Sequence, residues 1–293
     1  MDKTKYILIT AARNEAEYIE ATINAVIVQT IRPIQWIVVS DGSTDRTDEI
    51  IQNYSDKYDF IKFLRNDNSS ERNFASKVFS INRAILKLKD TNYDAMGILD
   101  ADITFEPDYY ENILTEFEKD LKLGVAGGEF FDIINGKKIK VVKSSNSVRG
   151  GIQLFRKECI EEIGEFTPLK NGGEDIIMEV TARMNGWKVH SFNHLILYHH
   201  RHTGTEGFSI VRAKFRGGIL AHSMGYSPLF QAFKSIHRFK ERPYFLSGVL
   251  TYLGFIWAYL SGNKRKVSKE FVNYLRQEQS GRMKALHINS FVS

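Results

Sequence analysis

A single cysteine in 293 residues leaves no internal disulfide framework and no Cys-rich zinc site, so Cys159 reads as a packing residue in a chain from a reducing, cytosolic setting. No Gly-Lys-Ser/Thr phosphate loop occurs anywhere, and no Gly-x-Gly-x-x-Gly follows the first apolar run, so P-loop chemistry and dinucleotide binding are both poorly supported. Met1 to Tyr6 lead straight into an apolar run too short for a signal peptide's core and cleavage site, and export by that route is not expected. What is present, 43% hydrophobic and 26% charged residues, is ordinary for a globular protein and sufficient for one large α/β domain with an appendage.

The net charge of +5 hides an asymmetry. From Arg201 to the end, 15 Lys/Arg stand against 4 Asp/Glu, about +11, which leaves about −6 for the first 200 residues. An acidic half therefore carries a basic tail, and a basic surface calls for an anionic partner, either nucleic acid or a phospholipid surface.

Tyr6 to Ala11 is a β-branched and aromatic run, a first strand, followed by the polar loop Ala12-Arg13-Asn14-Glu15. Ile19, Ile23, Val26 and Ile27 then fall on one helical face, with Pro33 as its far limit. Gln35 to Ser40 is a second strand ending in Asp41-Gly42-Ser43-Thr44-Asp45, where Gly42 permits a tight turn and Ser43 or Thr44 is placed to cap a helix carrying Ile50, Ile51 and Tyr54. A third strand, Ile61 to Leu64, a polar segment from Asn66 to Asn73, and a helix with Val78, Ile81, Ile85 and Leu88 on one face come next. The fourth strand, Ala95 to Leu99, is continuously apolar, as suits a strand covered on both faces, and it delivers Asp100-Ala101-Asp102. This alternation predicts a parallel sheet with right-handed crossovers, and loops 11–15, 41–45 and 100–102 along one edge, where open α/β sheets bind ligands. Two carboxylates so close repel unless a cation lies beside them, and hard oxygen ligands suit Mg²⁺ or Mn²⁺ with positions left open for phosphate oxygens.

Past a helix bearing Tyr110, Ile113, Leu114 and Phe117, the pattern leaves simple alternation. Val125 to Phe131 and Lys138 to Val142 read as a hairpin across Asn135-Gly136. Arg149-Gly150-Gly151 precedes a strand from Ile152 to Phe155, and the two glycines either bring backbone close to a sugar or phosphate or only form a turn. Glu174 and Asp175 stand at the start of a helical stretch, where a carboxylate is either an ordinary cap or a base. Leu195 to Tyr198 is a last strand running into His199-His200-Arg201-His202, with imidazoles suited to Mn²⁺-type ions and an Arg suited to diphosphate.

Ala11-Ala12-Arg13-Asn14-Glu15, Asp41-Gly42-Ser43-Thr44-Asp45, Arg72-Asn73, Asp100-Ala101-Asp102 and Gly173-Glu174-Asp175 together resemble, in that order, the motifs of family-2 glycosyltransferases of the GT-A fold, over roughly residues 4 to 205. Ser69, Ser70 and Glu71 stand where that family commonly has a glycine. The resemblance implies a GT-A type Rossmann-like mixed sheet flanked by helices, spanning residues 1–205, and charge and composition make residues 206–293 a basic, partly apolar helical extension. It implies that Ala11, Arg13, Glu15, Asp41, Ser43, Arg72, Asp100 and Arg201 bind the donor, with Asp41 on the base and Asp100 near ribose or metal. It further implies that Asp102, Asp100 and His199 hold Mn²⁺ or Mg²⁺, and that Asp175, or failing it Glu174, is the catalytic base. A single base facing a metal-bound leaving group implies one displacement with inversion at the anomeric carbon. The implied partners are a nucleoside-diphosphate sugar, UDP ahead of GDP, and a glycan or lipid-linked acceptor; a homo-oligomer is left open. A nucleotidyltransferase would instead carry a Gly-rich basic loop after the first strand, and the acidic half argues against a nucleic-acid-binding protein.

Tyr244 to Leu260, flanked by Arg242 and by Lys264-Arg265-Lys266, would span about 26 Å as a helix, just under the roughly 30 Å of a bilayer core. It reads as an interfacial segment, a span, or a buried or dimer-contact helix, the basic and aromatic flanks favouring the interface. The expected location is the cytoplasmic face of the cell membrane.

Overall fold

The computed structural model describes residues 4–66, 74–88, 90–134, 136–141, 144–169, 171–201, 210–241 and 243–289. The chain divides into two compact units, Met1–Lys170 with Glu174–Thr203, and Gly204–Ser293 with Asn171–Gly173.

The first unit is built on a nine-stranded mixed sheet. Strands β1 (Tyr6–Ala12), β2 (Gln35–Asp41), β3 (Ile61–Asn66) and β4 (Ala95–Leu99) alternate with helices α1 (Ile19–Ile27), α2 (Thr47–Lys57) and α3 (Phe74–Lys87). β1 pairs in parallel with β2 and β4, and β2 with β3. The carboxyl ends of β1, β2 and β4 thus share one edge, as the alternation predicts. Side chains alternate across these strands, yet on β1, β2 and β4 both faces are covered: Tyr6, Leu8 and Leu99 join one core with Ile19, Ile23 and Ile113, while Ile7, Ile9 and Ile98 join a second with Val78, Ile81 and Met178. Burial on both faces is why the runs read as continuously apolar. Cys159 is fully buried in the second core.

Beyond β4 come β5 (Ile103–Phe105), α4 (Tyr109–Lys119), β6 (Leu123–Ile134), β7 (Lys137–Lys140), β8 (Ile152–Arg156), α5 (Lys157–Ile163), α6 (Glu174–Met184) and β9 (Lys188–His199). The strand order is β3-β2-β1-β4-β8-β6-β9-β5, with β7 paired antiparallel to β6. β8 runs antiparallel between β4 and β6, and β5 antiparallel to β9. Two features differ from the sequence reading. β5, immediately after Asp102, is three residues long and too short to show a period, and β9 begins seven residues before Leu195 because half-polar positions mask its first part.

Thr22, fully buried on α1, holds the turn between β4 and β5: its hydroxyl donates to the Ala101 carbonyl (2.9 Å) and accepts from the Ile103 N–H (3.1 Å). Thr22→Val keeps the shape but leaves both backbone groups buried and unpaired, so the melting temperature is expected to fall by roughly 4–8 °C, about 2 kcal/mol, with Thr22→Ser recovering most of the loss. A thermal melt of the three proteins measures it.

The second unit contains α7 (Ile210–Ser223), α8 (Pro228–His237), a short 3₁₀ turn at Arg238–Lys240, α9 (Leu246–Leu260) and α10 (Lys269–Asn289). None of the described helices is long and apolar enough to cross a membrane.

Candidate active site

The first two edge loops are stitched together. Asn14 adopts a left-handed backbone (φ 55°), which Asn tolerates better than most residues, and its Oδ1 accepts from the Thr44 N–H at 2.8 Å. The Asn14 N–H donates to Ser43 Oγ, and the Glu15 N–H to Thr47 Oγ1 at 2.7 Å. Ser43 and Thr44 therefore do not cap α2, contrary to the sequence reading. Its N-cap position is Arg46, without a side-chain cap, while Asp45 accepts from the N–H and hydroxyl of Thr47. Burial works against the Asp45 charge, but these hydrogen bonds prevail and hold the carboxyl below its usual range. Asp41 is buried at the end of β2 with the Arg13 guanidinium 3.7 Å away, and Ala11 sits within β1 in register with Val39.

Asp102 is the centre of a buried charge cluster. Its Oδ2 accepts from Arg201 Nε at 2.6 Å and lies 3.2 Å from His199 Nε2, while Arg201 Nη2 reaches Glu15 at 2.8 Å. His199 Nδ1 meets Asp132 at 3.0 Å. Strand register makes the cluster: Ile103 on β5 and Asp132 on β6 both pair with His199 on β9. Burial disfavours every charge here, but Asp102 and Asp132 outweigh it and raise His199 to about 10, and His199 and Arg201 hold Asp102 well below the ordinary carboxylate range. His200 is used otherwise, with Nε2 at 2.9 Å from Thr104 Oγ1 and its ring stacked on Tyr18.

Asp100 faces a second group. Lys77 Nζ lies 2.5 Å from Asp100 Oδ1, and the Asp100 N–H donates to the Gly151 carbonyl. A Cβ on Gly151 would come within 2.7 Å of Asp100 Oδ2, and one on Gly150 within 2.8 Å of Asp175 Cβ. The glycine pair is therefore a thin ribbon between two carboxylates, a closer approach than a turn requires. Glu174 and Asp175 occupy the first turn of α6. Glu174 Oε2 is buried with no hydrogen-bond partner, and burial, together with the Asp175 charge, pushes Glu174 up to about 7. Arg149, over the Phe130 ring at 5.5 Å, feels both Asp132 and Asp175, which partly offset the burial that lowers it.

A raised acid binds more protons folded than unfolded between about 4.5 and about 7, so stability falls as pH rises through that window and the cost persists above it. Glu174→Gln is expected to match the wild type near the lower limit and to be more stable above the upper one, by on the order of 3 kcal/mol. Urea unfolding of both proteins across that range measures it.

Thus Asp102, His199, Arg201 and Glu15 come together, Asp100 pairs with Lys77, and Asp175 lies across the glycine ribbon; Arg72 falls outside the described residues. Sequence reasoning missed Asp132, Lys77 and Thr22, and singled out Arg149 only with the glycine pair that follows it. Asp132 was findable, being with Glu129 one of two carboxylates inside a largely apolar strand. The described residues contain no group of three or more His, Cys, Asp or Glu arranged to hold a metal ion. The donor set nevertheless fits a divalent ion bound jointly with a substrate: Asp102 Oδ1 is buried without a hydrogen-bond partner, and His199 Nε2 adjoins the same carboxylate.

Residues 7–169 match the family model described as Glycosyl transferase family 2. The chain is 29% identical over 212 residues to the poly-β-1,6-N-acetyl-D-glucosamine synthase of Staphylococcus epidermidis, covering 66% of this chain and 47% of that protein. It therefore spans about half the length of the curated relatives it matches. Among solved structures, the mannosyltransferase PcManGT from Pyrobaculum calidifontis, in complex with GDP-Man and Mn²⁺, superposes with a TM-score of 0.57 at 16% identity, over 97% of this chain and 81% of that one. S. aureus TarS 1-349 in complex with UDP-GlcNAc does so with a TM-score of 0.53 at 14% identity, over 93% and 80%. At such identities the likeness is one of fold, the GT-A arrangement of the mixed sheet.

Proposed function

We propose that this chain, which belongs to glycosyl transferase family 2, moves a sugar from a nucleoside-diphosphate sugar to a hydroxyl of a glycan or lipid-linked acceptor, with inversion, in the building of a cell-surface polysaccharide. One observation carries the reading: Asp100 and Asp175, from a strand end and a helix start far apart in sequence, meet on either side of the Gly150-Gly151 ribbon at the ligand-binding edge of the sheet.

In this reading residues 1–205 are the catalytic region. The stitched loops around Ala11, Arg13 and Glu15 and around Asp41 and Ser43, with Arg72, hold the base and ribose, and Asp100 takes the ribose or the metal. Asp102 and His199 hold Mn²⁺ or Mg²⁺, which, when bound, supplies charge neutralisation for the departing diphosphate. Arg201, already fixed by two carboxylates, presents its guanidinium to the phosphates. Asp175 takes the proton of the acceptor hydroxyl as that oxygen bonds to the anomeric carbon and the bond to the diphosphate breaks. Glu174, its carboxyl pushed up to about 7 by burial and the Asp175 charge, stands beside it as the alternative base. The relatives' names specify N-acetylglucosamine, and TarS is bound to UDP-GlcNAc, so UDP-linked amino sugars are the first donors to test.

The test is nucleoside-diphosphate release from a panel of UDP- and GDP-sugars with Mn²⁺ or Mg²⁺, repeated with chelator. Release from at least one donor, abolished by chelation, supports the reading. Release that is indifferent to thorough chelation refutes the metal assignment, and release from none of the panel refutes the donor class.

A further inference from the structure

Helices α8 and α9 are built inside out. The face of α9 that is buried carries Ser247, Gly248, Thr251, Gly254 and Ala258 along with Phe255, whereas Val249, Leu253 and Trp257, spaced four apart, lie 37%, 51% and 51% exposed. On α8, Gln231 and Ser235 are buried while Leu229, Phe233 and Ile236 are 59%, 56% and 59% exposed. In water the opposite choice is favoured, because large apolar side chains gain most from burial and Ser and Gln gain least. Scattered exposed apolar residues are normal on a surface, but two adjacent helices with the same inversion are not.

The inward packing explains how this unit holds together without those side chains. A Cβ on Gly218 would lie 2.0 Å from the Thr251 carbonyl oxygen, one on Gly254 2.0 Å from that of Phe215, and one on Gly248 2.1 Å from that of Ser235. The helices therefore meet backbone to backbone through small residues, the packing used where the surrounding solvent is itself apolar. Part of the inner polar set is satisfied locally, Thr251 Oγ1 donating to the Ser247 carbonyl and Gln231 Nε2 to Ser235 Oγ, while Ser247 Oγ and Gln231 Oε1 are buried without a hydrogen-bond partner.

Charge decides what covers the outer face. Lys240 lies before α9 and Lys264, Arg265 and Lys266 lie after it, all exposed, in a region with 15 Lys/Arg against 4 Asp/Glu. A second copy of this chain would set like charges against each other, whereas a layer of anionic headgroups complements them. The 15 residues of α9 extend about 22 Å, short of the roughly 30 Å of a hydrocarbon core, so the helix is suited to lie along a bilayer and not across it. Trp257, Tyr252 and Tyr259 are the residue types that settle at that depth.

We infer that α8 and α9 form a docking face for an anionic phospholipid bilayer, with the apolar side chains inserted below the headgroups and the flanking Lys and Arg among them. The inference stands independently of the sugar-transfer reading.

The test is flotation of the full chain with vesicles of phosphatidylcholine alone and of phosphatidylcholine mixed with phosphatidylglycerol, together with quenching of tryptophan fluorescence by brominated lipid. The chain should float with the anionic vesicles, with quenching that disappears in Trp257→Phe. Phe233→Ser/Leu253→Ser/Trp257→Ser should abolish flotation while the protein stays folded by circular dichroism, since each side chain is half or more exposed, although Trp257 also packs on Phe215. Lys264→Ser/Arg265→Ser/Lys266→Ser, which touches no apolar contact, should weaken binding about tenfold or more. No flotation of the wild type, flotation unaffected by both multiple variants, or a dimer seen by light scattering that the apolar variant dissociates without any vesicle binding, would each overturn the proposal.

Discussion

Asp175→Asn is expected to lower kcat by a factor on the order of 10² to 10⁴ and to leave donor affinity within a few-fold. Asn keeps the size and the place at the start of α6 but cannot take up a proton. A carboxylate that merely supports a helix terminus would behave differently: its replacement by Asn would cost less than about 1 kcal/mol and leave turnover per folded molecule nearly intact. The neighbouring residue supplies the control. Glu174→Gln resembles the protonated acid that burial and Asp175 already favour at neutral pH, so its kcat should remain within several-fold of the wild type. The opposite ranking, with Glu174→Gln inactive and Asp175→Asn active, would transfer the role of base to Glu174. Steady-state kinetics on both variants, with donor affinity from calorimetry, separates these outcomes.

Asp102→Asn is expected to abolish metal-stimulated donor binding and turnover. Arg201 and His199 meet Asp102 at Oδ2, whereas its Oδ1 is buried without a hydrogen-bond partner and is the carboxylate oxygen left for a further cation. The substitution also leaves His199 and Arg201 with one fewer counter-charge, and breaking such a buried pair costs about 3–5 kcal/mol, so the variant must be assayed below its lowered melting temperature. Binding of a nucleoside diphosphate by calorimetry, with and without Mn²⁺, is the measurement. In the wild type the metal should tighten binding, and in the folded variant it should make no difference. Because His199 is raised to about 10, metal binding through its Nε2 must expel a proton at neutral pH. Metal stimulation in the wild type should therefore grow as pH rises from 6 to 9, about tenfold per unit at most. The stability link has the opposite sign: the imidazolium's contribution is complete below its ordinary value of 6.5 and is lost as pH rises through about 10.

Much of this was legible in the sequence because β1, β2 and β4 are covered on both faces. Runs such as Tyr6 to Ala11 and Ala95 to Leu99 declare themselves by continuous hydrophobicity, and the loops after them then fall on one edge by topology alone. The second half of the sheet was less legible, since β5 is shorter than any period and β9 is partly polar along its length. The missed side chains have a common cause. Asp132 and Thr22 act on Asp102 and its turn through strand register and helix packing across about 30 to 80 positions, a relation that no local pattern encodes. The helix cap assigned to Ser43 and Thr44 failed for the same reason: partners in the neighbouring loop outcompeted the local one. The apolar character of α9 and the basic character of its flanks could be read from composition, but which face of the helix points outward could not.

The most direct test of the account is the configuration of the sugar at the moment of transfer. With an α-linked nucleotide sugar that the enzyme accepts, and with water as acceptor where no other is known, proton NMR followed faster than mutarotation resolves the first anomer formed. A single displacement assisted by Asp175 predicts that the β anomer appears first, that its formation needs metal, and that it slows in Asp175→Asn by the factor given above. An α anomer appearing first would contradict the one-base mechanism, because retention requires a nucleophile on the opposite face of the sugar.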